Sequence, residues 1–467
     1  METRVEHDFL GEKIIPATAY YGIQTLRAVE NFPISLRPIS SYPEFIRALA
    51  YVKKAAAIAN MELGELPKPI GEAICLACDE VIGGGHLDQF PVDCIQGGAG
   101  TSTNMNINEV IANLALEVLG HKKGEYRFCH PNNHVNRSQS TNDVYPTALR
   151  IALYRMLSSL KKAMAHLKAG FAEKGLEFAD VIKMGRTQLQ DAVPMTLGQE
   201  FTAYATTLGE DISRVRESRR LILEINLGAT AIGTGINAPP DYARLATNAL
   251  RELTGLDLVT SPNLVEATWD TGAYVQISGV LKRVAVKLSK ICNDLRLLSS
   301  GPRTGLGEIN LPRMQPGSSI MPGKVNPVIP EVVNQVAFDI IGKDLTITMA
   351  AESGQLELNV MEPIIAHSLF TGIGRLERAC VVLRDRCLDG ITANKEHCRE
   401  LVEGSVGLVT FLSPVLGYEQ ASAIAQAALE SGKSVYALVL EKKLLSKAQL
   451  DQLLSARNMA QPPQIKA

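Results

Sequence analysis

Between Val144 and Phe178 the chain reads VYPTALRIALYRMLSSLKKAMAHLKAGFAEKGLEF, and within it Leu153, Leu157, Leu160, Met164, Leu167 and Phe171 recur at spacings of 4, 3, 4, 3 and 4. That alternation sets the apolar side chains on one stripe of an α-helix, a heptad seam suited to packing along a neighbouring helix at a shallow angle. The seam returns twice, in Leu281, Val284, Leu288, Ile291, Leu295 and Leu298, and in Leu369, Ile373, Leu376, Cys380, Leu383 and Cys387. Residues 196–226 and 328–350 have the length and apolar content of long helices with a less regular phase. The reading is a mainly α chain with a central bundle of about five long helices. A helix over 144–178 would be ~50 Å long at 1.5 Å per residue, longer than a small domain is wide. Seams of that length are most readily buried by further subunits, so a homo-oligomer is expected, with a solitary antiparallel bundle as the alternative.

Outward from the bundle the sequence changes character. Residues 1–140 hold glycine clusters, Gly83-Gly84-Gly85 and Gly97-Gly98-Ala99-Gly100, and shorter helical stretches near 43–63 and 104–119. Residues 396–467 carry short helices and end in Gln461-Pro462-Pro463-Gln464, which is expected to fray. The expected partition is an N-terminal domain over 1–140, the helical bundle over 141–395 and a small helical C-terminal domain over 396–467.

Of the 467 residues, 47 are Lys or Arg and 49 Asp or Glu, a formal charge of −2. No basic face follows from that balance, which argues against nucleic acid or an anionic membrane as the main partner. Hydrophobic residues make up 46%, enough for a large core, yet aromatics only 5%, with Trp269 the single tryptophan. Burial must come from aliphatic side chains, which suits helix packing better than a β-sandwich. Eight cysteines without paired spacing point to reduced thiols. The first residues, Met1 to Asp8, lack the apolar core of a signal peptide, and uncharged stretches such as 404–418 are too short and broken to span a bilayer. A soluble cytoplasmic protein is expected.

Several motifs lead nowhere. Gly432-Lys433-Ser434 imitates the end of a phosphate-binding loop, but Ala427 stands where the first glycine is needed, so it reads as a helix break. Cys75 and Cys78 form a lone pair on a helical segment and read as structural thiols. His130 and His134 are four apart, but Pro131-Asn132-Asn133 between them is expected to disrupt helical spacing, which argues against a metal there.

Four segments do suggest chemistry. They are Gly97-Gly98-Ala99-Gly100-Thr101-Ser102-Thr103-Asn104-Met105-Asn106, then Asn136-Arg137-Ser138-Gln139-Ser140-Thr141-Asn142-Asp143, then Gly185-Arg186-Thr187-Gln188-Leu189-Gln190-Asp191, and Gly317-Ser318-Ser319-Ile320-Met321-Pro322-Gly323-Lys324-Val325-Asn326-Pro327. All are rich in neutral donors and poor in acids, as a site for an anion requires. Plainer readings stand beside this one: Ser140 to Asp143 could be a helix cap, and 317–327 a mere connector. Ile320 and Met321 inside that connector suggest instead a lid that packs when closed.

These motifs resemble the fumarase/aspartase superfamily. Gly-Ser-Ser-Ile-Met-Pro-Gly-Lys-Val-Asn-Pro from Gly317 is similar to its signature, and the segments around Thr101 and Ser140 are similar to its two other characteristic regions. The likeness runs from Tyr21-Gly22-Ile23-Gln24-Thr25 to Gly390-Ile391-Thr392-Ala393-Asn394. Gly185 to Glu200 and Pro330 to Gln335 are most like its ammonia-lyase branch. The resemblance implies a three-domain chain, a homotetramer around a twenty-helix core, and active sites assembled from three subunits. It implies reversible elimination of ammonia from L-aspartate to give fumarate, with Ser318 as base. Thr101, Ser140, Thr141 and Ser319 would hold the reacting carboxylate, Thr187, Lys324 and Asn326 the other one, and Asn142 and Gln188 the amino group. Lys324 would also help to stabilise the Ser318 oxyanion. No cofactor is required; Mg²⁺ as activator is compatible with the family, though no ligand cluster places it.

The rival within the superfamily is a class II fumarate hydratase. Fumarases carry His where this chain has Gln188, and a neutral amide cannot deliver the proton that a leaving hydroxide needs. Gly323 and His130-Pro131-Asn132 look somewhat fumarase-like, with Asn133 where fumarases usually have Asp. A scaffold without catalysis is the other alternative, against which the intact Ser318, Lys324 and Asn326 speak.

Overall fold

A computed structural model describes residues 2–460, so the Gln461–Gln464 tail lies outside the described residues. The chain opens on an antiparallel hairpin, β1 (Thr3–Asp8) and β2 (Gly11–Pro16), with Thr3 opposite Pro16. Four helices follow: α1 (Ile23–Asn31), α2 (Pro43–Glu62), α3 (Lys68–Ile82) and α4 (Thr101–Val118). Pro43 begins α2 where its missing N–H has no helical partner to lose. The buried run Ala55-Ala56-Ala57 and Gly71, where a Cβ would overlap Met61, let α2 and α3 approach closely.

Next come α5 (Thr141–Glu177), the antiparallel hairpin β3 (Ile182–Thr187) and β4 (Gln190–Thr196), and α6 (Leu197–Ser218). They lead through α7 (Tyr242–Thr254) and α8 (Leu264–Trp269) to α9 (Gly272–Leu298), α10 (Val328–Glu352) and α11 (Glu362–Arg386). Helices α5, α6, α9, α10 and α11 run for 37, 22, 27, 25 and 25 residues, the long helices that the heptads called for. Every residue of the three seams is buried, none more than 4% exposed.

One boundary differs from the sequence expectation. α6 stops at Ser218 instead of continuing to 226, and the chain turns through Arg219–Ile222 into an extended pair, Glu224–Ile225 alongside Val259–Thr260. The cause is Arg150 on α5. Its buried guanidinium donates to the carbonyls of Leu221 (3.1 Å) and Glu224 (2.7 Å), which a continuing helix would need for itself.

Two compact units emerge. One gathers residues 1–161, 214–283 and 339–375; the other gathers 162–213, 284–338 and the residues from 376 on. Each long helix thus gives part of its length to either unit. In the second, α12 (Lys395–Gly404), α13 (Leu408–Leu416), α14 (Tyr418–Ser431), α15 (Val435–Glu441) and α16 (Lys447–Leu453) close a small core around Val402, Leu408, Leu412, Ile424, Leu438 and Leu450, to which the hairpin adds Ile182 and Met184. Gly432 ends α14 in the left-handed conformation and the Ser434 hydroxyl caps α15, so Gly432-Lys433-Ser434 is a helix break.

Glu362, the first residue of α11, is fully enclosed, and burial pushes its carboxyl up to about 8, with Arg150 opposing. The raised value means that folding favours the protonated form, so this contribution is complete below about pH 4.5 and is lost as the pH rises toward 8. We expect the melting temperature to fall from pH 5 to pH 8 with a slope in stability on the order of 1 kcal/mol per pH unit. Glu109 and Asp143, each pushed up to about 7 by burial, add to the slope, so Glu362→Gln should lessen it without removing it; an unchanged slope in the variant would assign the effect elsewhere.

Candidate active site

In the first unit the helix-initiating turns of α4 and α5 carry the polar residues. Gly98, Ala99 and Gly100 are all left-handed, and a Cβ on Gly100 would overlap the Tyr145 ring, so this tight entry into α4 requires glycine. It exposes Thr101 at the first position of α4, where the hydroxyl donates to Gly98 O at 2.8 Å. At the start of α5 the Ser140 hydroxyl accepts from Asn142 N (3.2 Å) while Asp143 Oδ1 accepts from Ser140 N (3.0 Å), a reciprocal helix cap. The cap uses the hydroxyl oxygen only as an acceptor, so the Ser140 proton stays available to a ligand.

Asn142 is fixed from both sides. Its side chain donates to Ala231 O at 2.7 Å. Its carbonyl, deprived of a helical partner because Pro146 has no N–H, accepts from Asn226 Nδ2 at 2.9 Å. Asp143 Oδ2 accepts from Gly228 N and Thr230 N at 3.1 and 3.0 Å, and burial pushes its carboxyl up to about 7 against those donors.

Beneath them lies a residue that the sequence reading missed. Lys53 on α2 is fully buried, and its ammonium donates to Asn104 Oδ1 (2.7 Å), Asn136 Oδ1 (3.0 Å) and Gln139 Oε1 (2.9 Å). Burial pushes Lys53 down to about 7, partly offset by Asp143, while three acceptors need three protons and so select the charged form. Asn104 passes the order on: with its oxygen on Lys53, its Nδ2 donates to Thr141 Oγ1 at 3.1 Å, leaving the Thr141 proton to point elsewhere. A signal for Lys53 was present, because it occupies the buried phase of α2 with Leu49, Ala56, Ala57 and Asn60.

In the second unit Thr187 and Gln188 sit at the exposed tip of the β3–β4 hairpin. The turn residues Gln188 and Leu189 have φ of +54° and +62°, although neither is Gly, Asn or Asp. Such a pair costs about 1–3 kcal/mol per residue and persists only where the surroundings enforce it. The loop 317–327 is folded on itself. Gly317 N donates to Lys324 O and Asn326 Nδ2 to Gly317 O, both at 2.7 Å, and a Cβ on Gly317 would run into the backbone of Lys324 to Asn326. Ser318 Oγ accepts two backbone N–H groups, from Ile320 at 3.2 Å and Met321 at 3.1 Å. Ser319 and Lys324 are exposed beside it, and Ile320 presents an apolar side chain that is 84% exposed.

The structure therefore groups Thr101, Ser140, Thr141 and Asn142 on adjoining helix starts of one unit, and places Thr187 with Gln188, and Ser318 with Ser319, Lys324 and Asn326, on two segments of the other. Residues Pro131–Val135 form one wide helical turn, where the sequence suggested disrupted spacing; proline at its first position loses no bond. His130 Nδ1 accepts from Asn132 N and Asn133 N, and His134 Nδ1 from His130 N, so both rings are tied to backbone. Burial holds both imidazoles below their ordinary pKa. Among the described residues no three His, Cys, Asp or Glu side chains converge as a metal would need.

Residues 11–342 match the family model described as lyase, and residues 408–461 match the fumarase C C-terminus. The aspartate ammonia-lyase of Helicobacter pylori is 61% identical over 98% of both chains, and that of Escherichia coli 57% identical over 98% of this chain and 96% of its own. Among solved structures, a fumarate lyase from Brucella melitensis, bound to cobalt, superposes with a TM-score of 0.96 at 58% identity, covering 99% of this chain and all of that one. The class II fumarase of Schistosoma mansoni gives 0.92 at 35% identity over 99% of this chain and all of its own. With motifs, helices and relatives in agreement over nearly its whole length, the chain belongs to the fumarase/aspartase superfamily and, within it, to the aspartate ammonia-lyase branch.

Proposed function

We propose that the protein eliminates ammonia from L-aspartate to give fumarate, reversibly, with Ser318 as the base. The observation that carries the chemistry is the pair of N–H groups on Ser318 Oγ. A serine hydroxyl is a poor base at neutral pH, and an alkoxide becomes accessible only where donors already face its oxygen and water is excluded. Ser318 takes the proton from the carbon beside one carboxylate, and the electron pair moves into that carboxylate as an enediolate. Thr101, Ser140, Thr141 and Ser319 donate where this charge develops, the kind of preorganised stabilisation whose loss costs about 10²- to 10³-fold per donor. The enediolate then collapses, the carbon–nitrogen bond breaks, and its electrons leave with neutral ammonia. Thr187, Lys324 and Asn326 hold the second carboxylate, and Asn142 and Gln188 contact the amino group. Lys324 adds positive charge that favours the Ser318 alkoxide.

Three copies of the chain supply these segments to each site, within a homotetramer whose core takes five long helices from each of four chains. The apolar row Phe338, Ile341, Leu345 and Met349 on α10, between 37 and 63% exposed, supports burial against further copies. The chemistry asks for no cofactor, and the role left to Mg²⁺ is activation. Neither nucleic acid nor membrane is a partner, in keeping with the balanced charge. Among the described residues no helix is long and apolar enough to cross a membrane; we place the enzyme in the cytoplasm.

The hydratase reading is disfavoured by Gln188, whose amide delivers no proton to a leaving hydroxide. The reverse reaction separates the two. Purified protein should consume fumarate when ammonium is added and leave it untouched in ammonium-free buffer; steady consumption without ammonium would make it a hydratase.

A further inference from the structure

Glu308, on the segment after α9, is fully buried, and it divides its carboxylate between two residues of the β3–β4 hairpin. Oε1 accepts from Arg186 Nη1 at 2.7 Å, and Oε2 lies 3.2 Å from Lys183 Nζ. Lys183 is held on its other side by Glu200 Oε2 of α6 at 2.6 Å, so two cations and two carboxylates balance in the interior. Glu308 is itself anchored through its backbone, donating from N to Leu298 O and accepting from Asn394 N, both at 2.9 Å. A fixed carboxylate thus grips the residue immediately before Thr187 and a second residue beyond the strand irregularity between Met184 and Arg186.

The hairpin tip needs such a grip. Gln188 and Leu189 are both left-handed without the residues that favour that conformation, and Leu189 is 70% exposed, so packing within the chain does not hold the turn. We infer that Glu308 is a positioning residue: through Arg186 and Lys183 it sets where the strained turn presents the Thr187 hydroxyl and the Gln188 amide. The roles of Thr187 and Gln188 rest on the ammonia-lyase reading, whereas the clamp itself does not.

The test is Glu308→Gln, which keeps the shape and removes the charge, assayed in the direction of amination. Loosening the tip should raise KM for ammonium and KM for fumarate by about tenfold or more, since a displacement of ~1 Å in a positioned group has effects of that order. A fall in kcat with both KM values unchanged is what a smaller folded fraction produces, and it would overturn the inference. Arg186→Lys, which keeps the charge and loses the planar fork, should give the same KM split and serves if the first variant does not fold. Amide hydrogen exchange across 183–190 reads the clamp without the reaction: protection should fall in Glu308→Gln, and unchanged protection would also overturn it. Absence of amination by the wild-type protein would instead defeat the functional reading and leave the exchange result to judge the clamp.

Discussion

Ser318→Ala should lower the turnover of L-aspartate by about 10³-fold or more while the protein folds and assembles as before. The catalytic half of this expectation follows from the oxygen, which is the acceptor for the proton in the first step; the neighbouring Ser319 is assigned to the reacting carboxylate, and the two N–H donors of the loop face Ser318 Oγ. The structural half follows from the loop. Ile320 N and Met321 N lose their side-chain acceptor, but both are exposed and water replaces it. The bonds that shape the loop, Gly317 N to Lys324 O and Asn326 Nδ2 to Gly317 O, do not involve the hydroxyl. Fumarate absorbance gives the rate, and melting with sedimentation gives the fold and assembly. A variant with wild-type melting that keeps more than a tenth of the activity would remove Ser318 from the role of base.

Lys53→Met should have the largest effect on stability, a loss of about 3–5 kcal/mol. Methionine nearly fills the space, so the loss is one of hydrogen bonds and charge, with no cavity. The oxygens of Asn104 and Gln139 would lose the donor they face, Asn136 Oδ1 would keep only Asn104 Nδ2 and Asn108 Nδ2, and these amides cannot turn to compensate. Asn104 Nδ2 already donates to Thr141, Asn136 Nδ2 to Gln139 O, and Gln139 Nε2 to the carbonyls of Val135 and Arg137. Lys54→Met is the control from the adjacent position, since its pair with Asp79 is exposed at the surface and worth about 0–1 kcal/mol. Melting of the two variants side by side makes the comparison. Equal melting temperatures would show that the cage around Lys53 contributes little.

The long helices were readable because a heptad seam is a local, repetitive signal, and all three seams are buried where the spacing put them. The end of α6 was not readable, because its cause, Arg150, lies some seventy residues away in sequence on another helix. The site divides the same way. Hydroxyl-rich segments around Thr101, Ser140 and Ser318 announce an anion site by composition alone, and the open question of whether Ser140 caps a helix has an answer in which it does so and still keeps its proton. Lys53 went unread because a lysine beside another lysine suggests a solvated face, and only the phase of α2 separates the fully buried one from its partly buried neighbour. The turn at Gln188-Leu189 carries no turn residues at all, so the strain there is visible only in the backbone.

The choice of leaving group, ammonia or hydroxide, separates the two activities. It is tested most directly by kcat/KM for fumarate formation from L-aspartate and from L-malate, each followed by ultraviolet absorbance with the same purified protein. Aspartate should be the faster substrate, and faster turnover of malate would make the protein a hydratase.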